Sequence, residues 1–373
     1  YQAIEPHDRQ ERFEGLGGGV IRGYAEFASK NSVRVGDETL TARRIVVTAG
    51  ATPIAPPING LDAVAYFTNE TFFENYDRPD HLIIIGGGPI GVEMAQAHAQ
   101  LGIETTLIER FEILPREISE TREIVRTKLL QDGVTIFENC DVSSIKENGT
   151  IKSIIFGDGQ MIEGSHILVA TGRRANIQGL NLSEAGIEAT DVGIKVDDSL
   201  RTTNRDVYAI GDVIGQEQFT HVSGYHASLV VRSALFGLPA KVKKDHIPRV
   251  TYCDPEVASV GDISDGVGIE TYRVTYDGLD RAIAGVRTDG FAQIWVKNGR
   301  VLGATIVGAQ AGELIHFWSL VIAQNLKLSK ASSVITPLRT CRVEWATGVL
   351  PSCSKASPNT SAVFSNHGNS LIV

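Results

Sequence analysis

The chain has 373 residues, 42% of them hydrophobic and 21% charged, which are ordinary fractions for a soluble globular protein of two or three domains. Its formal charge of −9, with 44 acidic against 35 basic residues and no basic stripe, argues against a nucleic-acid partner. The four cysteines (140, 253, 341 and 353) lack the dense spacing of a disulfide scaffold or zinc module, so no metal site is expected. No apolar run reaches the ~18–20 residues of a membrane-spanning helix, and no signal peptide follows Tyr1.

The segment from Arg43 to Gly50 reads as a buried strand ending in a turn, and Pro53, Pro56 and Pro57 prevent a following helix. His81-Leu82-Ile83-Ile84-Ile85 is apolar on both faces, as a covered parallel strand requires. The run Gly86-Gly87-Gly88-Pro89-Ile90-Gly91 closes it, and Val92 to Leu101 has helical composition with Gly102 placed to end the helix. Thr105 to Ile108 is the next strand, so the order is strand, helix, strand and the sheet doubly wound. A helix is predicted from Thr121 to Leu130, and an antiparallel meander from Ser144 to Gly164.

His166 to Gly172 repeats the pattern of Ile45 to Gly50, an apolar strand ending in Ala/Thr/Gly after a polar hairpin. Asp206 to Asp212 is a further short strand, and His221 to Phe236 a helix. Beyond Pro248 the pattern is that of a separate α+β domain. Strands Phe291 to Val296 and Val301 to Val307 flank Asn298-Gly299, a dipeptide suited to the two positive φ angles of a tight hairpin. Gly312 to Asn325 then forms an apolar helix with Leu314, Ile315, Trp318, Val321 and Ile322 on one side. From Ser352 to Ser370 the Ser/Asn-rich composition predicts disorder.

The strongest chemical signal is Gly86-x-Gly88-x-x-Gly91, because it follows a buried strand and opens a helix. The first glycine permits the tight turn, the second admits a pyrophosphate to the backbone, and the third lets helix and strand pack closely. Glu109 stands 18 residues beyond Gly91 at the end of the next strand, where a carboxylate accepts hydrogen bonds from a ribose and repels a 2′-phosphate. That favours NAD, while Arg110 and Arg116 leave NADP open. Taken alone, Ile210-Gly211-Asp212, Thr48-Ala49-Gly50 and Ala170-Thr171-Gly172 are strand-end turns.

Together and in this order, these elements resemble the FAD-dependent pyridine nucleotide–disulfide oxidoreductases, with mercuric reductase-like and dihydrolipoamide dehydrogenase-like proteins the nearest subgroup. The likeness runs from about Val20 to Pro337 and includes Ala170-Thr171-Gly172-Arg173-Arg174-x-Asn176, Val207 to Asp212, and Asp254 to Gly261. It implies an α/β fold of doubly wound FAD- and NAD(P)-binding domains, the FAD domain incomplete, plus a C-terminal α+β dimerisation domain. The implied boundaries are 1–76 (partial FAD domain), 77–176 (NAD(P) domain), 177–246 (return to the FAD domain), 247–337 (dimerisation) and 338–373 (atypical tail).

The resemblance also implies residue roles. Thr48, Ala49, Gly50, Gly211, Asp212 and Thr220 would serve FAD, with Asp212 on the ribityl chain. Gly86, Gly88, Pro89, Ile90, Gly91, Glu109, Val142 and Gly172 would hold NAD or NADP, with Glu93 near the nicotinamide. A homodimer, a small-molecule or thiol acceptor and a cytoplasmic location follow from the same likeness.

Two of the family's features are not found. Its first strand, glycine turn and helix, and the Cys-x-x-x-x-Cys pair after them, have no counterpart here, so the chain is expected to lack its first ~100 residues. The family's Pro-Thr-Leu-Ser-Glu-like run and acid–base histidine are replaced by Leu338-Arg339-Thr340-Cys341-Arg342, as a reading-frame shift near Pro337 would produce. Cys140 and Cys253 read as small buried apolar residues, and His316 as an interface residue. Cys341, Cys353 and His367 are assigned no catalysis. The alternatives to a disulfide-type or metal-ion reductase are a nucleotide-binding chain without activity, and a related NADH oxidase without a redox disulfide.

Overall fold

A computed structural model describes Pro6 and residues 9–334. Tyr1, the tail 338–373, Cys341, Cys353 and His367 lie outside the described residues. The chain divides into two compact units, one formed by Tyr1–Pro115 and Leu129–Lys244, the other by Arg116–Lys128 and Asp245–Val373.

The first unit is built on a five-stranded parallel sheet in the order Phe67–Thr68, His166–Val169, His81–Ile85, Glu104–Ile108, Val134–Phe137. Ile83, Ile84, Ile167 and Leu168 are fully buried, as a strand covered on both faces demands. The helix Pro89–Gln100 begins with proline at its first position, where the missing N–H costs nothing. It ends at Gly102, whose φ of +76° allows its N–H to reach Ala99 O and that of Ile103 to reach His98 O.

The repeat expected in the chain is present. Ile45–Val47 and His166–Val169 each follow a three-stranded antiparallel sheet, formed by Ala25–Thr41 in one case and Val142–Gly164 in the other. Burial of the first strand is less than expected. Only Val47 of Ile45–Val47 is buried and Val46 is 41% exposed, because among the described residues the strand pairs on one side only, with Val207–Ala209.

The second unit carries a five-stranded antiparallel sheet, ordered Pro248–Thr251, Glu256–Gly261, Arg300–Gly308, Phe291–Lys297, Ile269–Thr275. Asn298 and Gly299 both adopt positive φ, 51° and 72°, as the hairpin signal predicted. The helix Ala311–Ala323 buries Ile315, Trp318, Val321 and Ile322 in one core with Ile294 and Val296 of the sheet. Among the described residues, no helix is long and apolar enough to cross a membrane.

Candidate nucleotide-binding site

The glycine turn leaves the C-terminal end of His81–Ile85, the central strand of the parallel sheet. Its glycines have separable duties. A Cβ on Gly86 would meet Ala170 O at 2.5 Å, and one on Gly91 would meet Gly86 O at 1.8 Å, so both are required for the backbone to close. A Cβ on Gly88 would meet nothing within 4 Å. Gly88 therefore faces space that a ligand can occupy. No side chain caps the helix that starts at Pro89, which leaves the first amides, those of Ile90 and Gly91, for an anion. Glu93 is half-buried in the same helix, a turn further in.

Glu109 reaches back to this turn. Its carboxylate accepts hydrogen bonds from Gly87 N at 2.6 Å and Phe111 N at 3.0 Å. Cys140 N donates to Glu109 O at 3.3 Å, which brings the start of the strand Val142–Asn148 to the same sheet edge. Arg110 is paired with the exposed Asp141 at 2.9 Å. Arg116 falls in the other compact unit.

The repeated turns are laced together. Ala51–Pro53 pairs antiparallel with Arg173–Ala175. Ile54 N donates to Gly172 O, Thr171 Oγ1 to Ile54 O, and Asn176 N and Nδ2 to Gly50 O and Ala49 O, all at 2.9–3.0 Å. Thr48, Ala49 and Gly172 are exposed; Gly50 and Gly172 have φ of +70° and +139°, and a Cβ on either would meet nothing within 4 Å.

Gly211 and Asp212 follow the strand Val207–Ala209, beside Ile45–Val47. The Asp212 carboxylate faces Arg173, whose Nε lies 3.8 Å away. Burial raises the pKa of Asp212, and the Arg173 charge opposes that rise. Arg173 also donates to Ala51 O and to Glu70 Oε1, yet its buried Nε has no hydrogen-bond partner. Thr220 is exposed at the start of the helix Thr220–Ala234. From that helix His226, 2% exposed, accepts the Gly211 N–H at Nδ1 over 3.3 Å.

Open glycines, an uncapped helix start, a carboxylate beside that start and a second carboxylate with spare acceptor capacity suit groups that carry phosphates and polyols. The pyridine nucleotide-disulphide oxidoreductase family model matches residues 9–227, and that family's dimerisation-domain model matches residues 247–347. The chain belongs to this family. Pyridine nucleotide-disulphide oxidoreductases use FAD and NAD(P)H.

The mercuric reductase of Bacillus cereus is 33% identical over 348 residues, covering 89% of this chain and 55% of that relative. The dihydrolipoyl dehydrogenase of Bacillus subtilis (strain 168) is 33% identical over 321 residues, covering 81% and 68%. The Cu(II) complex of the HOCl-induced flavoprotein disulfide reductase RclA from Escherichia coli superposes with a TM-score of 0.84 at 27% identity, covering 93% of this chain and 83% of that one. The chain thus spans 55%, 61% and 64% of the length of three mercuric reductases that it matches.

The sequence shows Arg173 and Asn176 within the family motif without indicating a role for either, and it gives no sign of His226 or Glu70. Their partners are distant in the chain, and a histidine within a helix carries no signal of its own. Of the two cysteines expected to be buried, Cys253 is, while Cys140 is half-buried with its Sγ against Glu138 O. His316 is exposed on the helix Ala311–Ala323.

Proposed function

We propose that the chain forms the nucleotide-handling part of a cytoplasmic, homodimeric flavoenzyme that passes a hydride from NAD(P)H through FAD to a disulfide-type or metal-ion acceptor. The observation that carries this reading is the lacing of residues 49–54 to residues 171–176, with the glycine turn against Ala170 and Asp212 against Arg173. It joins two nucleotide-type sites in one continuous framework, and proximity of donor and acceptor is the main service a protein gives to hydride transfer. When bound, FAD supplies the electron-accepting ring, and the protein contributes orientation and electrostatics.

In this reading Gly86, Gly88, Pro89, Ile90 and Gly91 receive the NAD diphosphate, Glu109 its ribose and Val142 its adenine, Gly172 helps to hold the nucleotide, and Glu93 lies near the nicotinamide. Thr48, Ala49 and Gly50 approach FAD from the strand end. Asp212 accepts from its polyol, and the Thr220 backbone lies near the flavin. Glu109 favours NAD, and the engagement of Arg110 by Asp141 supports that preference.

The alternative reading is that the chain binds nucleotides without serving a disulfide, and the 55–64% of the mercuric reductases' length that it spans leaves that reading to experiment. The chain would then be an inactive module or act as an NADH oxidase does. Anaerobic mixing of the flavin-loaded protein with NADH separates the readings. Bleaching of the visible flavin band followed by reoxidation on addition of lipoamide or Hg(II) supports the first. Bleaching that only oxygen reverses supports an oxidase, and no bleaching at all supports the inactive module.

A further inference from the structure

The turn that carries Asp212 is held by the helix Thr220–Ala234 in two ways. Gly211 has a φ of +69°, and a Cβ there would meet Ser223 Oγ at 2.5 Å, so the turn is pressed against the helix. Three residues further along that helix, on the same face, His226 Nδ1 accepts the Gly211 N–H. An imidazole nitrogen that accepts carries no proton, so the ring in this arrangement is neutral and its proton sits on Nε2. Asp212 O in turn accepts from Gly215 N at 2.9 Å, so the hydrogen bond at Gly211 secures one end of a closed turn.

We propose that His226 is the positioning residue of the Gly211–Asp212 turn, and that FAD binding through Asp212 requires this ring to stay neutral. The inference rests on the reading of Asp212 as a flavin-binding carboxylate. Protonation at Nδ1 would set two donors, Gly211 N–H and Nδ1–H, against each other in a buried space and push the turn away. The Lys244 charge acts on the ring, Tyr225 lies beside it and accepts the Lys243 N–H, and Asp212 with its partner Arg173 follows the Gly211 that the ring holds. Burial first, and the Lys244 charge second, lower the pKa of His226, so the neutral form prevails at neutral pH. His226 thereby couples Asp212 to pH without contacting the ligand.

The test is FAD titration, followed by flavin absorbance, at about pH 8 and about pH 5.5 on the whole chain and on His226→Asn, His226→Leu and Asp212→Asn. An asparagine amide oxygen can replace Nδ1 as acceptor, whereas leucine leaves the Gly211 N–H unsatisfied. At the higher pH, His226→Leu should bind FAD about tenfold more weakly, and His226→Asn within about threefold of wild type. NADH affinity should be unchanged in both. At the lower pH the wild type should weaken more than His226→Asn does, since Asp212 titrates in both. If His226→Leu binds FAD as tightly as wild type while Asp212→Asn does not, the positioning role is overturned and the flavin reading stands. Acid weakening as large in His226→Asn as in the wild type would overturn the positioning role in the same way. If Asp212→Asn binds FAD as tightly as the wild type, the flavin reading falls and the inference with it.

Discussion

Arg173 Nε stands 3.8 Å from Asp212 Oδ2, and the same guanidinium donates to Glu70 Oε1 at 2.8 Å. One cation therefore serves two carboxylates brought together from different parts of the chain. Burial holds the Asp212 pKa above the ordinary carboxylate value despite Arg173. A carboxyl whose folded-state pKa is raised gives full stability below its unfolded value of about 4, and that contribution is lost as pH rises through the folded value. At neutral pH Asp212 is thus a ligand-free liability. Asp212→Asn should raise the melting temperature of the ligand-free protein by about 1–2 °C, a small effect because the site is partly solvated. It should weaken FAD binding at the same time. Arg173→Met should do the opposite to stability, costing about 1–2 kcal/mol in urea unfolding as both carboxylates lose their partner.

The glycine turn separates folding from binding. Gly88→Ala adds a methyl where nothing lies within 4 Å, so urea unfolding should show a change of less than about 0.5 kcal/mol. The same methyl occupies the ligand's approach, and NADH affinity should fall at least about tenfold. Gly91→Ala drives its methyl to within 1.8 Å of Gly86 O, a backbone atom that cannot step aside. That variant should lose about 3 kcal/mol or more, or fail to fold. Equal melting temperatures for the two variants would contradict the division of duties.

Much of this turn was legible in the sequence because its demands are local. A β-branched strand, four glycines and a proline within eleven residues leave few backbone solutions, and Asn298-Gly299 is constrained in the same way. His226, Glu70 and Glu117 were not legible. Their partners lie 15, 103 and 142 residues away, at Gly211, Arg173 and Ser259, and no local pattern encodes such pairings. The strand Ile45–Val47 departs from expectation for a related reason. Its apolar composition suggests burial on both faces, whereas the exposure of Val46 depends on what pairs beside it.

Glu109 is held at the glycine turn by two backbone N–H groups, and in the proposed function this carboxylate takes the NAD ribose. Removing it should weaken NADH more than NADPH, since only NADPH is spared a repulsion. Glu109→Ala should therefore reduce the NADH-to-NADPH affinity ratio by about tenfold, measured by nucleotide fluorescence titration. Glu109→Gln keeps an acceptor and removes the charge, and should fall between. An unchanged ratio in both variants would remove Glu109 from the site.

In the second compact unit Glu117 is half-buried with its side chain 8% exposed, accepts a hydrogen bond from Ser259 Oγ and faces Arg249 Nε at 3.8 Å. Ser259 and Thr305 are fully buried and bonded to each other at 3.0 Å. Glu117→Ala would strand Arg249, whose Nε already lacks a hydrogen-bond partner, and is expected to cost about 3–5 kcal/mol in denaturant unfolding. Glu117→Leu, which fills the space, should cost the same or more if the hydrogen bond to Ser259 is what matters, and less if volume is.

Acid should loosen the first compact unit through two histidines. His166 lies 2.9 Å from Ser165 Oγ with its ring stacked on Phe67. Burial lowers its pKa first and the Lys152 charge second, while Asp77 and Asp80 pull the other way. Lys152 is itself fixed by Glu147 and Ser165 O, both at 3.1 Å, so its charge cannot swing away. A histidine with a depressed folded-state pKa stabilises fully above its unfolded value of about 6.5, and this is lost as pH falls through the folded value. The melting temperature should thus decline as pH drops from about 7 to about 5. His166→Gln, which cannot titrate, should flatten that decline in part, leaving the share due to His226, whose pKa is lowered as well. The double variant His166→Gln/His226→Asn should flatten it further. A decline as steep in the double variant as in wild type would place the acid sensitivity in the carboxylates instead.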